Sequence, residues 1–195
     1  MMHKPSLPYR IRAMQSRDIP TVAALEQQAF SDPWPLAAYV QELYFNPEAY
    51  YFVLELMDLS LAPGHLGRKL TRSELILGYI GLRMENRSAH ISTLAVREAW
   101  RGRGLGEYLL FKALDKAIRS YEANAAYLEV RASNKVAQAL YAKYRFRVQT
   151  RLAHYYQDGE DAHMMVAAPL DEAYQEHLQA CGEALESRLM EQSVK

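Results

Sequence analysis

The run Arg101-Gly102-Arg103-Gly104-Leu105-Gly106 is where residue types and spacing speak most directly of chemistry. Glycines at alternate positions let a backbone turn tightly enough for its N–H groups to converge. A helix that starts straight after such a turn points its positive end at the same spot, which suits an anion such as a pyrophosphate. Spacing alone leaves a second reading open, a glycine-rich connector. Two common phosphate motifs are excluded. Gly-x-Gly-x-x-Gly fails because position 107 is Glu, and the lysine of a Walker loop is absent. The six histidines are scattered without metal-ligand spacing, and Cys181 is the only cysteine. Neither a zinc site nor a disulfide framework is expected.

Hydrophobic period predicts the elements that would hold this turn. Leu105, Leu109, Leu110, Ala113, Leu114, Ala117 and Ile118 fall at helical spacing after the glycines. Residues 89–96 before them read as a strand, and 126–131 beyond as a strand with one buried face. Upstream lie a first strand over 9–14, a helix over about 20–30 capped by Asp18, a second helix ending near Asn46-Pro47, and strands over 50–57 and 74–84. Pro63, Gly64 and Gly67 mark a loop, and Asn86 with Arg87 a turn. Downstream, Ser133 is expected to cap a short helix carrying Val136, Ala139 and Leu140. Residues 146–156 and 162–168 pair as strands around Asp158-Gly159. After Pro169 a last helix carries Tyr174, Leu178, Cys181, Leu185 and Leu189 on one side, to dock on the core or mediate association. This mixed order indicates an α/β sheet with helices on its faces.

Arg101-x-x-Gly104-x-Gly106, preceded by Leu94-Ala95-Val96, resembles the acetyl-CoA motif of the GNAT N-acetyltransferases. The strand Leu128-Glu129-Val130-Arg131, then Ala132-Ser133-Asn134 and Ala139-Leu140-Tyr141, follow in that family's order. The run from Leu128 to Asn134 is similar to that of the ribosomal-protein-alanine N-acetyltransferases, the RimI group. So are Phe30-Ser31-Asp32-Pro33-Trp34 and Tyr155-Tyr156 with Asp158-Gly159 and Asp161-Ala162. The resemblance covers roughly residues 9–170. It implies an α/β GNAT fold, a mixed twisted sheet of about seven strands with helices on both faces, plus a C-terminal helix. It divides the chain into an acetyltransferase domain over 1–170 and a helical extension over 171–195.

The same resemblance implies acetyl-CoA as co-substrate and no metal. The segment Leu94, Ala95 and Val96 would hold the pantetheine by its backbone. Arg101, Gly102, Arg103, Gly104, Leu105, Gly106 and Glu107 would hold the pyrophosphate, and Asn134 would also touch the cofactor. Glu129 becomes the general base that takes the proton of an attacking amine. Tyr141 becomes the general acid for the departing thiolate. Trp34, Tyr155 and Tyr156 would grip the acceptor. Each residue has a plainer alternative: Asn134 a first-turn helix residue, Glu129 the ion-pair partner of Arg131, and the aromatics simple packing. The chain departs from the family at Arg145, where glycine is usual, in a longer loop over 58–73, and in the tail after Asp171.

Among 195 residues, Lys plus Arg number 23 and Asp plus Glu number 23. A balanced charge gives no footprint for nucleic acid. The stretches Arg97, Arg101, Arg103 and Lys143, Arg145, Arg147, Arg151 read as solvated faces or as contacts to CoA phosphates. No apolar signal follows Met1-Met2-His3-Lys4-Pro5, and no run reaches membrane length, so a cytoplasmic protein without membrane partner is expected. The expected reaction is transfer of acetyl to the N-terminal α-amine of a protein, a ribosomal protein by the resemblance. Attack is direct within a ternary complex, because Cys181 lies outside the matched core. Acetylation of a small amine or lysine side chain, or a non-catalytic acyl-CoA-binding module, stays open as an alternative.

Overall fold

Alternating side chains sort the strands into one sheet with a core on each face. The computed structural model describes residues 7–62 and 70–193. Its strands are β1 (Tyr9–Ala13), β2 (Ala49–Leu56), β3 (Ile76–Glu85), β4 (Ser88–Val96), β5 (Ala125–Arg131), β6 (Arg147–Leu152) and β7 (Ala162–Ala167). They lie in the order β1-β2-β3-β4-β5-β7-β6, and every neighbouring pair is antiparallel except β4 with β5. The α-helices are α1 (Ile19–Ala29), α2 (Leu36–Phe45), the single turn α3 (Arg72–Leu75), α4 (Leu105–Tyr121), α5 (Lys135–Lys143) and α6 (Glu172–Ser193). The expected mixed seven-stranded sheet is thus present.

On one face Phe52 and Leu54 of β2, Ile80 and Leu82 of β3, and Leu128 and Val130 of β5 pack with Leu109, Leu110 and Leu114 of α4. On the other, Tyr51, Val53, Tyr79 and Ala95 meet Val22 and Leu25 of α1 and Tyr39 of α2. The tail joins the first core, where Tyr174, Leu178, Leu185 and Leu189 of α6 are buried. α6 runs antiparallel to α4, since Gln179 bonds Asp115, Lys112 pairs with Glu186, and Arg188 reaches Glu107. Their closest approach needs glycine: a Cβ on Gly182 would sit 2.2 Å from Phe111 Cζ.

A bulge on β4 sets the site's geometry. Gly81 of β3 faces Thr93 and Leu82 faces Ile91, so Ser92 is the extra residue. An extra residue flips the faces beyond it. Ala89 and Ile91 therefore belong to the α4 core, whereas Ala95 belongs to the α1 core. Leu94 and Val96 then turn back against the α4 core.

Several local expectations are corrected. Asp18 does not cap α1 with its side chain; it accepts from the Gln15 N–H and from Arg12. Glu74 lies in α3, so β3 starts at Ile76. Asn134, not Ser133, caps α5, its Oδ1 accepting from the Ala137 N–H at 3.1 Å. Val136 is 85% exposed and no part of the core. β6 ends at Leu152, which leaves Tyr155 and Tyr156 in a turn instead of a strand. At Arg145 the left-handed helix end is kept without glycine. Its φ is 59°, and the Phe146 N–H reaches Tyr141 O while the Arg145 N–H reaches Ala142 O. Pro63, Gly64, Gly67 and the first five residues lie outside the described residues.

Candidate active site

β4 and β5 pair only through Ser88, Ala89 and His90 with Ala125, Ala126 and Tyr127. Beyond these three positions the strands part, and β5 keeps its other edge on β7. The parting leaves the β5-facing edge of β4 without a strand partner over residues 91–96. Unpaired backbone N–H and C=O groups at such an edge suit an extended, amide-bearing ligand. Ile91, Ser92, Thr93 and Leu94 line one wall of the resulting cavity, Glu129, Val130 and Arg131 the other. Asn134, Ala137 and Tyr141 of the α5 segment close it, with Tyr156 and the 29–34 segment opposite.

The glycine turn lies between the 3-10 turn that follows β4 and the start of α4, and none of its residues lines this cavity. Gly102 and Gly104 have φ of 76° and 85°, in the left-handed region where side chains are strained. Gly104 begins α4 and offers no side-chain cap, so the first amides of the helix remain available to an anion. Arg101 ties the turn to the strand end, its Nε donating to Val96 O at 3.0 Å. Arg103 stacks on Trp100. Leu105 is buried in the core, so only its backbone is on offer. The Glu107 carboxylate accepts from Lys143 of α5, Arg188 of α6 and the Tyr144 hydroxyl, which leaves the residue's backbone N–H as the group on offer. Burial works to raise its pKa, but Lys143 and Arg188 outweigh that and hold it below the ordinary range. Ala95 points its side chain into the α1 core, away from the cavity.

Glu129 stands where two cavities join. The second is lined by Asp32, Pro33, Trp34, Arg83, His90, Tyr155 and Gln157, and shares Asp32, Trp34, Ser92, Glu129 and Tyr156 with the first. The ion pair with Arg131, the plainer alternative for Glu129, does not form. Arg131 binds Asp158, Glu160 and Ser31 and lies 3.9 Å from the Tyr156 ring centroid. The partner of Glu129 is His90, whose Nε2 is 2.7 Å from Glu129 Oε2. The His90 ring stacks on Tyr127, 4.5 Å between centroids, and Tyr127 donates to Glu85. Tyr141 is buried in the first cavity with no hydrogen-bond partner for its hydroxyl among the described residues. Burial, with Tyr156 adding to it, pushes its pKa up to about 12. Tyr156 is likewise raised to about 12 by burial, against the pull of Arg131.

Sequence reasoning passed over His90, Ser92 and Glu26. All three turn on β4 lying beside β5 and carrying a bulge, neither of which leaves a mark on the residues themselves.

The sequence matches the acetyltransferase (GNAT) family over residues 19–146. The chain belongs to that family. It is 34% identical over 156 residues to a putative ribosomal protein bS18-alanine N-acetyltransferase of Bacillus subtilis, covering 80% of this chain and 92% of the relative. It is 34% identical over 170 residues to an N-alpha-acetyltransferase of Sulfolobus acidocaldarius, covering 86% and 96%. The crystal structure of the ribosomal-protein-S18-alanine N-acetyltransferase from Escherichia coli superposes with a TM-score of 0.67 at 25% identity, covering 83% of this chain and 94% of that one.

Proposed function

We propose that this protein transfers acetyl from acetyl-CoA to the N-terminal α-amine of a protein, with a ribosomal protein as acceptor. The observation that carries the reading is Glu129 at the junction of two cavities, one ending at Tyr141, the other opening between Trp34 and Tyr155. The parted edge of β4 suits the pantetheine arm, and the glycine turn with the first amides of α4 suits the diphosphate. The first cavity then takes the acetyl donor and the second the acceptor. Trp34, Tyr155 and Tyr156 wall the acceptor side. The names of the relatives support protein N-termini, and bS18 in particular.

Glu129, paired with His90, receives the proton of the incoming ammonium, directly or through water. The freed amine forms the new N–C bond, the C–S bond breaks and CoA leaves as the thiolate, while the second proton of the amine passes from the new amide nitrogen through solvent to that thiolate. Tyr141 meets the departing sulfur. With its pKa raised, the hydroxyl stays protonated throughout the working range. Full transfer to a thiolate whose acid has a pKa near 8.5 is uphill from there, so Tyr141 acts by hydrogen-bonding to the developing charge. No helix among the described residues is long and apolar enough to cross a membrane. Peptides bearing the N-terminal sequence of ribosomal protein bS18, incubated with acetyl-CoA, test the reading by mass spectrometry. One acetyl group on the α-amine is expected. Modification of polyamines or lysine side chains alone would overturn it.

A further inference from the structure

Glu26 is a carboxylate the chemistry above does not use, yet it borders the acetyl-donor cavity. It sits on α1 and is 2% exposed. A buried carboxylate is costly unless its oxygens are satisfied. Here four donors from four parts of the fold converge on it. The Trp34 N–H donates to Oε1 at 3.1 Å. Oε2 accepts from the Tyr39 hydroxyl of α2 at 2.9 Å, the Thr93 hydroxyl of β4 at 3.3 Å, and the Tyr79 hydroxyl of β3. Burial raises its pKa against the hydrogen bonds from Trp34, Tyr39 and Thr93.

These partners are not a random set. Trp34 belongs to the link between α1 and α2, whose residues Phe30, Ser31, Asp32 and Trp34 form one wall of the donor cavity, with Asp32 and Trp34 reaching the acceptor cavity. Thr93 follows the bulged Ser92 on the opposite wall. The bulge is what turns Thr93 toward α1 at all. One side chain therefore fastens the acceptor-side link to the strand edge that would carry the acetyl donor.

We infer that Glu26 is a positioning residue that sets the acceptor wall, residues 30–35, at a fixed distance from β4. The inference rests on the acetyltransferase reading for its kinetic test but not for its structural one. Its action needs acceptor oxygens, not a negative charge. A glutamine can turn its oxygen to the Trp34 N–H and its NH₂ to two of the three hydroxyls, which accept as well as donate. A leucine of similar bulk removes the acceptor from the Trp34 N–H and from the hydroxyls, among which the 3.3 Å bond of Tyr39 to Tyr79 remains.

The test compares Glu26→Leu with Glu26→Gln. Hydrogen exchange is expected to show faster exchange at residues 30–35 in the leucine variant, with β3 and β5 protected as before, and near-normal exchange in the glutamine variant. With a peptide that the wild type acetylates, the leucine variant should raise the peptide KM by on the order of tenfold, because small misplacements at an acceptor site are costly. Its acetyl-CoA affinity by calorimetry should change little, and glutamine should restore the peptide KM. Unchanged protection of 30–35 in a folded leucine variant overturns the inference. So does a glutamine variant as defective as leucine, which would make the charge itself the active feature. Should leucine prevent folding, Tyr39→Phe removes one of the four donors, and the same exchange pattern at smaller amplitude is expected. An enzyme that acetylates no peptide sinks the proposed function and leaves the exchange test to judge Glu26.

Discussion

Glu129 and Tyr141 meet opposite demands, and each can be tested by removing a single atom's function. Glu129→Gln keeps size and hydrogen bonding but cannot take a proton. Its rate defect on an N-terminal peptide is expected to shrink between about pH 6.5 and 9, as more of an α-amine of pKa near 8 arrives neutral. A pH–rate series beside wild type checks this; parallel profiles would remove Glu129 as base. Tyr141→Phe is expected to lower turnover by on the order of 10²-fold with little change in acetyl-CoA affinity, because the buried ring is kept and only the donor is lost. Single-turnover rates with calorimetry separate the two. At this scale the sequence was legible wherever a residue sits inside a contiguous motif. Glu129, Tyr141 and Asn134 line one cavity. His90, 39 residues from Glu129 in the chain, was not legible, because its pairing exists only once the two strands are adjacent. The contacts of the Glu107 carboxylate with α5 and α6 were not legible for a similar reason.

Elements with a strong period were read correctly to within a residue or two: α4 begins at Leu105 and β5 spans Ala125–Arg131. Failures came where short polar residues compete for one task. Ser133 and Asn134 are both good caps, and tertiary geometry decided for Asn134 while the Ser133 N–H went to Glu160. The end of α5 shows the reverse. Arg145 holds a left-handed turn that glycine usually holds, at a cost of about 1–2 kcal/mol, and its side chain makes a hydrogen bond to Ala173 O of α6 at 3.4 Å that glycine could not make. The contact between α4 and α6 gives a sharper expectation. Gly182→Ala drives a methyl group into the Phe111 ring, so it should destabilise by about 1–3 kcal/mol despite alanine's better helix propensity. Thermal melting checks this, and Phe111→Leu in the same chain should recover part of the loss by making room. A stabilised Gly182→Ala variant would show that the helices do not approach so closely.

Over the whole molecule, buried and half-buried carboxylates tie separate elements together, and acid should undo them. Burial alone would raise Asp18, Glu55 and Glu107. Hydrogen bonds and charge from Arg12 for the first two, joined by Arg10 at Glu55, and from Lys143 and Arg188 for Glu107 leave all three below the ordinary range. A carboxylate lowered on folding stabilises the fold above its unfolded pKa, near 4, and loses that contribution as pH falls through its folded value. Glu26, raised by burial, works the other way and favours the fold as it gains its proton. Three against one, the melting temperature is expected to hold between about pH 6 and 8 and to fall steeply below about pH 4, as calorimetry would measure. A melting temperature flat to pH 3 would assign these ties no net weight. The strand order also bears on synthesis. As the chain leaves the ribosome, β1 to β4 emerge in the order in which they lie side by side, but β6 emerges before β7 and must wait outside it. Until residue 167 is made, β5 has three backbone positions paired to β4 and an empty edge beyond. The strand that carries Glu129 thus takes its final place only when the last strand slots in.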